Sequence, residues 1–228
     1  MGVYPRLKRY LPRQSCVLCG EQSVFCVCKT CAASLSTSLH RCASCACQLD
    51  AGLNFCGACL SNAPYFAQSY TLYDYAGSCA QLIKQFKFNQ QLCVGDYFAH
   101  QLYDWFVGNI QRNHYDAIIP MPLSTARIRQ RGYNQAYELL RVIKRKTDIP
   151  IDIASVTRSK ATVALSSLNL AERQVAIKGA FSLSNINYQT VLLVDDVMTT
   201  GASLNELAKT LIKQGGVKQC DVVTLARA

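Results

Sequence analysis

No stretch of this 228-residue sequence approaches the ~20 consecutive apolar residues that a membrane-crossing helix requires. Charged side chains are also scarce, at 17% against 50% hydrophobic, which excludes a chain too polar to bury a core. The N-terminal segment MGVYPRLKRYLPRQ is basic but has no long apolar segment behind it, so it lacks the pattern of a secretory signal. Arg6 stands where an N-myristoylation motif wants Ser or Thr. No membrane insertion and a cytoplasmic location are therefore expected. Acidic residues are the scarcer sign: 14 Asp and Glu against 24 Lys and Arg leave a net charge of +10. The length suits one good-sized core plus a small appended module.

What is abundant is cysteine. Thirteen of them in a cytoplasmic chain point to metal before disulfides. Ten fall between residues 16 and 59, and eight of these make four Cys-x-x-Cys pairs. Each such turn brings two thiolates to one ion, and four thiolates at about 2.3 Å complete a tetrahedral zinc shell. The pairs arrive as two successive couples, Cys16, Cys19, Cys28 and Cys31, then Cys42, Cys45, Cys56 and Cys59. Two zinc ribbons are expected. Closed four-thiolate sites have no open coordination position, so the zinc, one ion or two, would be structural and would help a segment with few large apolar side chains to fold. Cys26 and Cys47 are spare, and their Cys-x-Cys spacing to Cys28 and Cys45 leaves the ligand register open. Redox-active cysteines are the alternative.

Asn62-Ala63-Pro64 closes that segment, giving a cysteine-rich module over 1–62 and a second domain over 63–228. The tyrosines of SYTLYDYAG predict a strand, followed by a helix whose stripe is Leu82, Ile83 and Phe86, with Lys84 and Lys87 outside it. A second helix is expected over 96–107, and over 116–122 a short buried strand that ends in a prolyl turn. The stretch from Leu123 to Gln135 reads as a strand-to-helix loop carrying Arg127, Arg129 and Arg131. An amphipathic helix should then run through Tyr137, Leu139, Leu140, Val142 and Ile143. Ile151 to Val156 predicts another strand, and the polar stretch 157–179 reads as a mobile flap or a plain solvated helix.

Nine Lys and Arg lie between Arg127 and Lys160, against three acidic residues. Within them Arg127, Arg129, Arg131, Arg141, Lys144 and Arg145 form a candidate polyanion surface; a merely solvated basic face is the alternative. Tyr65, Phe66, Tyr133 and Tyr137 are candidate stacking platforms for bases, though core or boundary packing is the more usual role for each.

The most informative stretch is Val191-Leu-Leu-Val-Asp-Asp-Val-Met-Thr-Thr-Gly-Ala-Ser203. Val191 to Val194 predict a strand buried on both faces, as in a parallel sheet. Asp195 and Asp196 follow, then the small turn residues Thr199, Thr200, Gly201 and Ser203. A helix is expected next, with Leu204, Leu207, Ala208, Leu211 and Ile212 on one face and Gly215-Gly216 as its stop. Backbone N–H groups, hydroxyls and a helix N-terminus suit a phosphate, and two carboxylates suit the hydroxyls of a sugar. Together they point to a ribose 5-phosphate; an ordinary capped crossover is the alternative.

This stretch resembles the ribose-phosphate signature of type I phosphoribosyltransferases. The resemblance implies an α/β domain with a parallel sheet and helices on both faces. It assigns the ribose hydroxyls to Asp195 and Asp196, and the 5-phosphate of phosphoribosyl pyrophosphate, carried with Mg²⁺, to Val197, Met198, Thr199, Thr200, Gly201, Ala202 and Ser203. A cysteine-rich double ribbon ahead of it, IKQFKF, PMP followed by Arg131-Gly-Tyr-Asn-Gln135, and LAER together resemble the ComF family, which includes competence proteins and the related GntX proteins. That resemblance implies handling of incoming single-stranded DNA in natural transformation, beside a competence helicase and other DNA-uptake proteins.

The competing expectation is an active phosphoribosyltransferase of unknown acceptor. Asp195 and Asp196 would fix the ribose, Arg131 and Arg173 would neutralise the leaving pyrophosphate, and Lys84 and Lys87 would assist. Leu165 and Ala176 replace the Gln and Asn usual in the family around the flap, a departure that bears on turnover more than on binding.

Overall fold

A computed structural model describes residues 14–89, 91–109, 115–159 and 177–228. The cysteine-rich segment contains two short two-residue strands, β1 (Gln14–Ser15) and β2 (Gln22–Ser23), and two five-residue helices, α1 (Lys29–Ala33) and α2 (Gly57–Ser61). Then come β3 (Ser69–Asp74), α3 (Gly77–Phe88), α4 (Leu92–Asn109), β4 (Ala117–Pro120), α5 (Thr125–Arg131), α6 (Gln135–Leu139) and α7 (Arg141–Lys146). The remaining elements are β5 (Val156–Arg158), β6 (Phe181–Leu183), β7 (Thr190–Met198), α8 (Ala202–Gly215) and β8 (Gln219–Arg227).

Strands β3, β8, β7 and β4 form a parallel sheet in that order. Alternation along its strands divides the core. Ile118, Leu192, Val194, Val223 and Leu225 face helices α3, α4, α6 and α7, meeting Leu82, Phe86, Phe98, Leu102 and Ile143. Ile119, Val191, Leu193, Cys220 and Val222 face the other way, onto Leu204, Leu207 and Leu211 of α8 and Phe181 of β6. β7 and β8 are therefore apolar on both faces, as the run Val191–Val194 implied. Helices cover both sides of the sheet.

Four local expectations change. β7 does not stop at Val194: it continues through Asp195 and Asp196 to Met198, because β8 pairs with it to Arg227. The arginine-bearing stretch 125–131 is a helix rather than a loop, ended by Gly132 at φ 82°. The single amphipathic helix expected after it is two short helices meeting at Leu140. The strand expected from Ile151 is reduced to one bridge, Ile151 to Ile118, and β5 begins only at Val156. β5 pairs antiparallel with β6, so the two ends of the expected flap lie side by side. Residues 160–176, with Leu165, Arg173 and Ala176, lie outside the described residues.

Helices α3 and α4 approach closely where α4 has a glycine. A Cβ on Gly95 would stand 2.5 Å from the Phe86 ring, which is itself fully buried, whereas a Cβ on Gly108 meets nothing within 4 Å. The two Gly→Ala substitutions should therefore differ in sign. Gly95→Ala is expected to cost about 1–3 kcal/mol by overpacking, while Gly108→Ala gains a few tenths from helix propensity, about 0.5 kcal/mol or less near a helix end. Urea melts of both variants check this; equal effects would mean that the ring yields freely.

Candidate ribose phosphate site and cysteine clusters

The acidic pair sits near the carboxyl end of β7, the place where ligands bind in an open parallel sheet. Asp196 is 7% exposed, and its Oδ1 lies 2.8 Å from Lys87 Nζ at the end of α3. The Asp196 N–H donates to Asp195 Oδ1 at 2.8 Å. Burial, and then the neighbouring Asp196 charge, pushes the Asp195 carboxyl up to about 7, with Lys87 and Arg158 pulling it back. Arg127 on α5 and Arg158 on β5 both have their guanidinium pKa lowered, first by burial and next by a neighbouring arginine. Asp195 acts on each in the opposite direction. Three elements distant in sequence therefore direct positive charge at one pair of carboxylates.

Beyond Met198 the chain turns at Gly201, φ 74°, into the N-terminus of α8. Thr199 and Thr200 are exposed, and Thr200 Oγ1 accepts from the Ala202 N–H at 3.3 Å. Asp195 and residues 197–204 line a small cavity of about 60 Å³. Thus Asp195, Val197, Met198, Thr199, Thr200, Gly201, Ala202 and Ser203 are brought together as the signature implied, with Lys87 and Asp196 at their edge. Lys84 is exposed one turn before Lys87 and makes no ion pair with the acidic residues.

Arg131 donates to Gln135 Oε1 at 2.9 Å and lies 5.4 Å from the centre of the exposed Phe88 ring. Arg129 is exposed. Arg141, Lys144 and Arg145 are exposed on α7, where Arg141 lies 3.6 Å from Glu138 and Lys144 donates to the Tyr137 hydroxyl at 2.7 Å. The six basic residues therefore stand on two helices separated by α6 rather than on one loop and its helix. Phe66 is 3% exposed and belongs to the core, so it offers no stacking face. Tyr133 packs on Phe86 and donates its hydroxyl to the Phe86 carbonyl.

Two groups of four cysteines could each hold a metal ion. Cys16, Cys19, Cys28 and Cys31 have sulfurs within 4.8 Å of one another, and so do Cys42, Cys45, Cys47 and Cys56. The first set is the expected one. In the second, Cys47 stands where Cys59 was expected. The knuckles explain this: the residue after the second cysteine takes positive φ in both, Gly20 at 76° and Ala46 at 52°, which returns the chain toward the cluster. Cys59 keeps the relation that Cys31 has to its own cluster, its N–H donating to Cys56 Sγ at 3.4 Å as that of Cys31 does to Cys28 Sγ at 3.5 Å. Cys59 thus stands beside the second group of four through its backbone. The other spare cysteine serves the fold instead, since Cys26 is buried in the main core and donates to the Cys93 carbonyl at 3.0 Å.

The segment 36–46 lies along β3, an edge strand, and supplies partners to it. Asp74 pairs with Arg41 and accepts from Ser38 at 2.7 Å, and Ser69 N–H donates to the Ala43 carbonyl at 3.2 Å. Arg227, which no sequence motif marks, ties this module to the turn. Its Nε donates to the Cys45 carbonyl at 3.0 Å, and its Nη1 donates to the Met198 and Thr199 carbonyls. Arg158 is likewise unmarked, because a lone arginine on a three-residue strand carries no motif.

No helix among the described residues is long and apolar enough to cross a membrane. Residues 128–228 match the phosphoribosyl transferase domain family. Competence protein F of Haemophilus influenzae is 41% identical over 155 residues, which cover 64% of this chain and 67% of that protein. DNA utilization protein YhgH of Escherichia coli K12 is 28% identical over 193 residues, 83% of this chain and 85% of the relative. Competence protein ComFC of Bacillus subtilis is 23% identical over 214 residues, 93% of this chain and 78% of the relative. With the parallel sheet, the acidic pair and the paired cysteine clusters in place, these similarities identify the chain as a member of the ComF family of proteins with a phosphoribosyltransferase domain.

Proposed function

We propose that this protein handles single-stranded DNA in the cytoplasm, as an incoming strand in natural transformation, on a scaffold whose site binds ribose 5-phosphate or phosphoribosyl pyrophosphate with Mg²⁺. The observation that carries the proposal is the convergence of Lys87, Arg127 and Arg158 on Asp195 and Asp196 beside the turn 199–203. A competence helicase and other DNA-uptake proteins are the partners that the names of the relatives suggest. Zinc in the two cysteine clusters is structural: four thiolates within 4.8 Å suit its tetrahedral shell and leave no open position. Elemental analysis is expected to find one to two zinc ions per chain, and Cys16→Ser or Cys56→Ser should make residues 14–62 protease-sensitive. A metal-free protein with an intact module would refute this.

Ribose 5-phosphate should raise thermal stability by mass action, about 2.7 kcal/mol at a hundredfold excess over its dissociation constant. The double variant Asp195→Ala, Asp196→Ala should lose that shift. An undiminished shift would place the ligand elsewhere. A parallel assay with phosphoribosyl pyrophosphate and Mg²⁺ reads pyrophosphate release and decides whether transfer accompanies binding.

Arg127, Arg129, Arg131, Arg141, Lys144 and Arg145 are the proposed strand-binding surface. Reversing Arg141, Lys144 and Arg145 to Glu should weaken single-strand binding and lower its log–log salt slope by about 2, from ~0.7 per phosphate contact. Three reversals on a distant face are the control. Equal losses in both triples would make the α7 surface general charge rather than a binding site.

A further inference from the structure

Between the second cysteine cluster and α8 lies a cleft of about 690 Å³. One wall is a single face of α8, Ala202, Asn205, Glu206 and Lys209, spaced i, i+3, i+4 and i+7. At its inner end the cleft reaches Thr200, Gly201 and Ala202, which also line the small cavity of the phosphate turn. The cleft therefore begins where the phosphate turn ends.

Its charges are mostly positive. Arg227, Lys178 and Lys209 line it, against Glu206, whose carboxylate accepts the Gly179 N–H at 2.7 Å. The Arg227 guanidinium donates to the Cys45, Met198 and Thr199 carbonyls and to the Ala228 oxygen. Farther along α8, Lys209 and Lys213 lie 5.8 and 6.0 Å from the centre of the Tyr65 ring, and Tyr65 is 39% exposed. From Ala202 to Lys213 this track is about 16 Å long, taking 1.5 Å per residue. That is longer than one ribose phosphate needs. A basic cleft with an exposed aromatic ring beside it, Tyr65 standing between the lining residues Pro64 and Phe66, is the form that single-stranded nucleic acid recognises, by phosphate contacts and base stacking.

We infer that the cleft carries a nucleic acid strand whose 3′-terminal nucleotide sits in the Asp195–Ser203 site. This rests on the ribose-phosphate assignment proposed above. The direction follows from the chemistry of the two ends of that site. Asp195 and Asp196 accept a hydrogen bond from a free sugar hydroxyl but repel a phosphate ester there, so the strand ends on that side. The phosphate held at the turn is instead a diester, and its second ester oxygen leads the strand into the cleft. Arg227 and Lys209 neutralise the next phosphates, and Tyr65 stacks a base. No bond is made or broken. A free 3′-hydroxyl on a single strand is thus the recognised feature, in DNA or in RNA.

The test uses the full chain and 5′-labelled 12-mers, in DNA and RNA, each with a 3′-hydroxyl or a 3′-phosphate, read by fluorescence anisotropy at one salt concentration. The 3′-phosphate should weaken binding at least tenfold, and ribose 5-phosphate should displace the 3′-hydroxyl strand. A 3′-hydroxyl preference in either sugar supports the site and names its source; none in both overturns it. Tyr65→Ala and Lys209→Gln should each weaken strand binding about tenfold while leaving the thermal shift with ribose 5-phosphate unchanged. Should Tyr65→Ala fold poorly, Tyr65→Phe retains the ring and should bind as the parent does. If ribose 5-phosphate stabilises the protein but both 3′ ends bind alike, the inference fails and the proposed ribose-phosphate site stands. If ribose 5-phosphate gives no shift at all, that site fails first and this one with it.

Discussion

The ion pair between Lys87 and Asp196 is the contact on which the site depends. β7 is buried by strands on both edges and by core on both faces, so two carboxylates near its end enter a region with little water. An isolated charge there costs several kcal/mol, and two adjacent ones cost more. Lys87 reaches Asp196 from α3, Arg127 approaches from α5 and Arg158 from β5. Lys87 belongs to the connection between β3 and β4, and Arg127 and Arg158 both belong to the one between β4 and β7. The acidic pair therefore gains its neighbouring positive charge from two separate connections of the sheet. A ligand with hydroxyls for the carboxylates and phosphates for the cations replaces contacts that the protein already makes among its own side chains.

The cysteine-rich module serves the sheet as well as any ligand. β3 is an edge strand, and an uncovered edge offers unpaired backbone groups to other chains. Residues 36–43 cover part of that edge through Arg41, Ser38 and the Ala43 carbonyl. Val27 and Leu35 add apolar cover to the α3–α4 side of the core. Arg227 then joins the Cys45 carbonyl to the carbonyls of Met198 and Thr199. A metal that fixes the turn around Cys45 thereby also fixes a neighbour of the phosphate turn. The two modules share a hydrogen-bond network rather than a flexible linker.

Much of this was legible in the sequence where local chemistry decides the outcome. Val191–Val194 imply burial on both faces, and Cys16, Cys19, Cys28 and Cys31 imply one centre, because chain spacing alone brings those groups together. Legibility failed where a partner distant in sequence decides. β7 runs past its apolar residues because β8 continues to pair with it, which no pattern in 195–198 records. Cys47 joins the second cluster because Ala46 adopts a left-handed conformation that is unusual for a residue with a Cβ. Arg158 and Arg227 belong to no motif, and their importance is visible only once the carboxylates and carbonyls they approach are placed. Phe66 is open to stacking or to packing from its sequence, and tertiary structure decides for packing, in the cluster that holds Met198 and the apolar face of α8.

The basic charge of the chain gains its meaning from which face of the sheet bears it. Arg141, Lys144 and Arg145 lie on α7, on the side packed by α3 and α4. Lys209, Lys213 and Lys178 lie on the α8 side. A flexible strand that passes the carboxyl edge of the sheet, where β4 and β7 end and where Arg127 stands near the acidic pair, could touch both faces. The acidic pair lies at that edge, between the two basic surfaces. If the proposed strand binding holds, electrostatic capture by either face would raise the local concentration of a strand at the carboxylates, without either face needing to read a base.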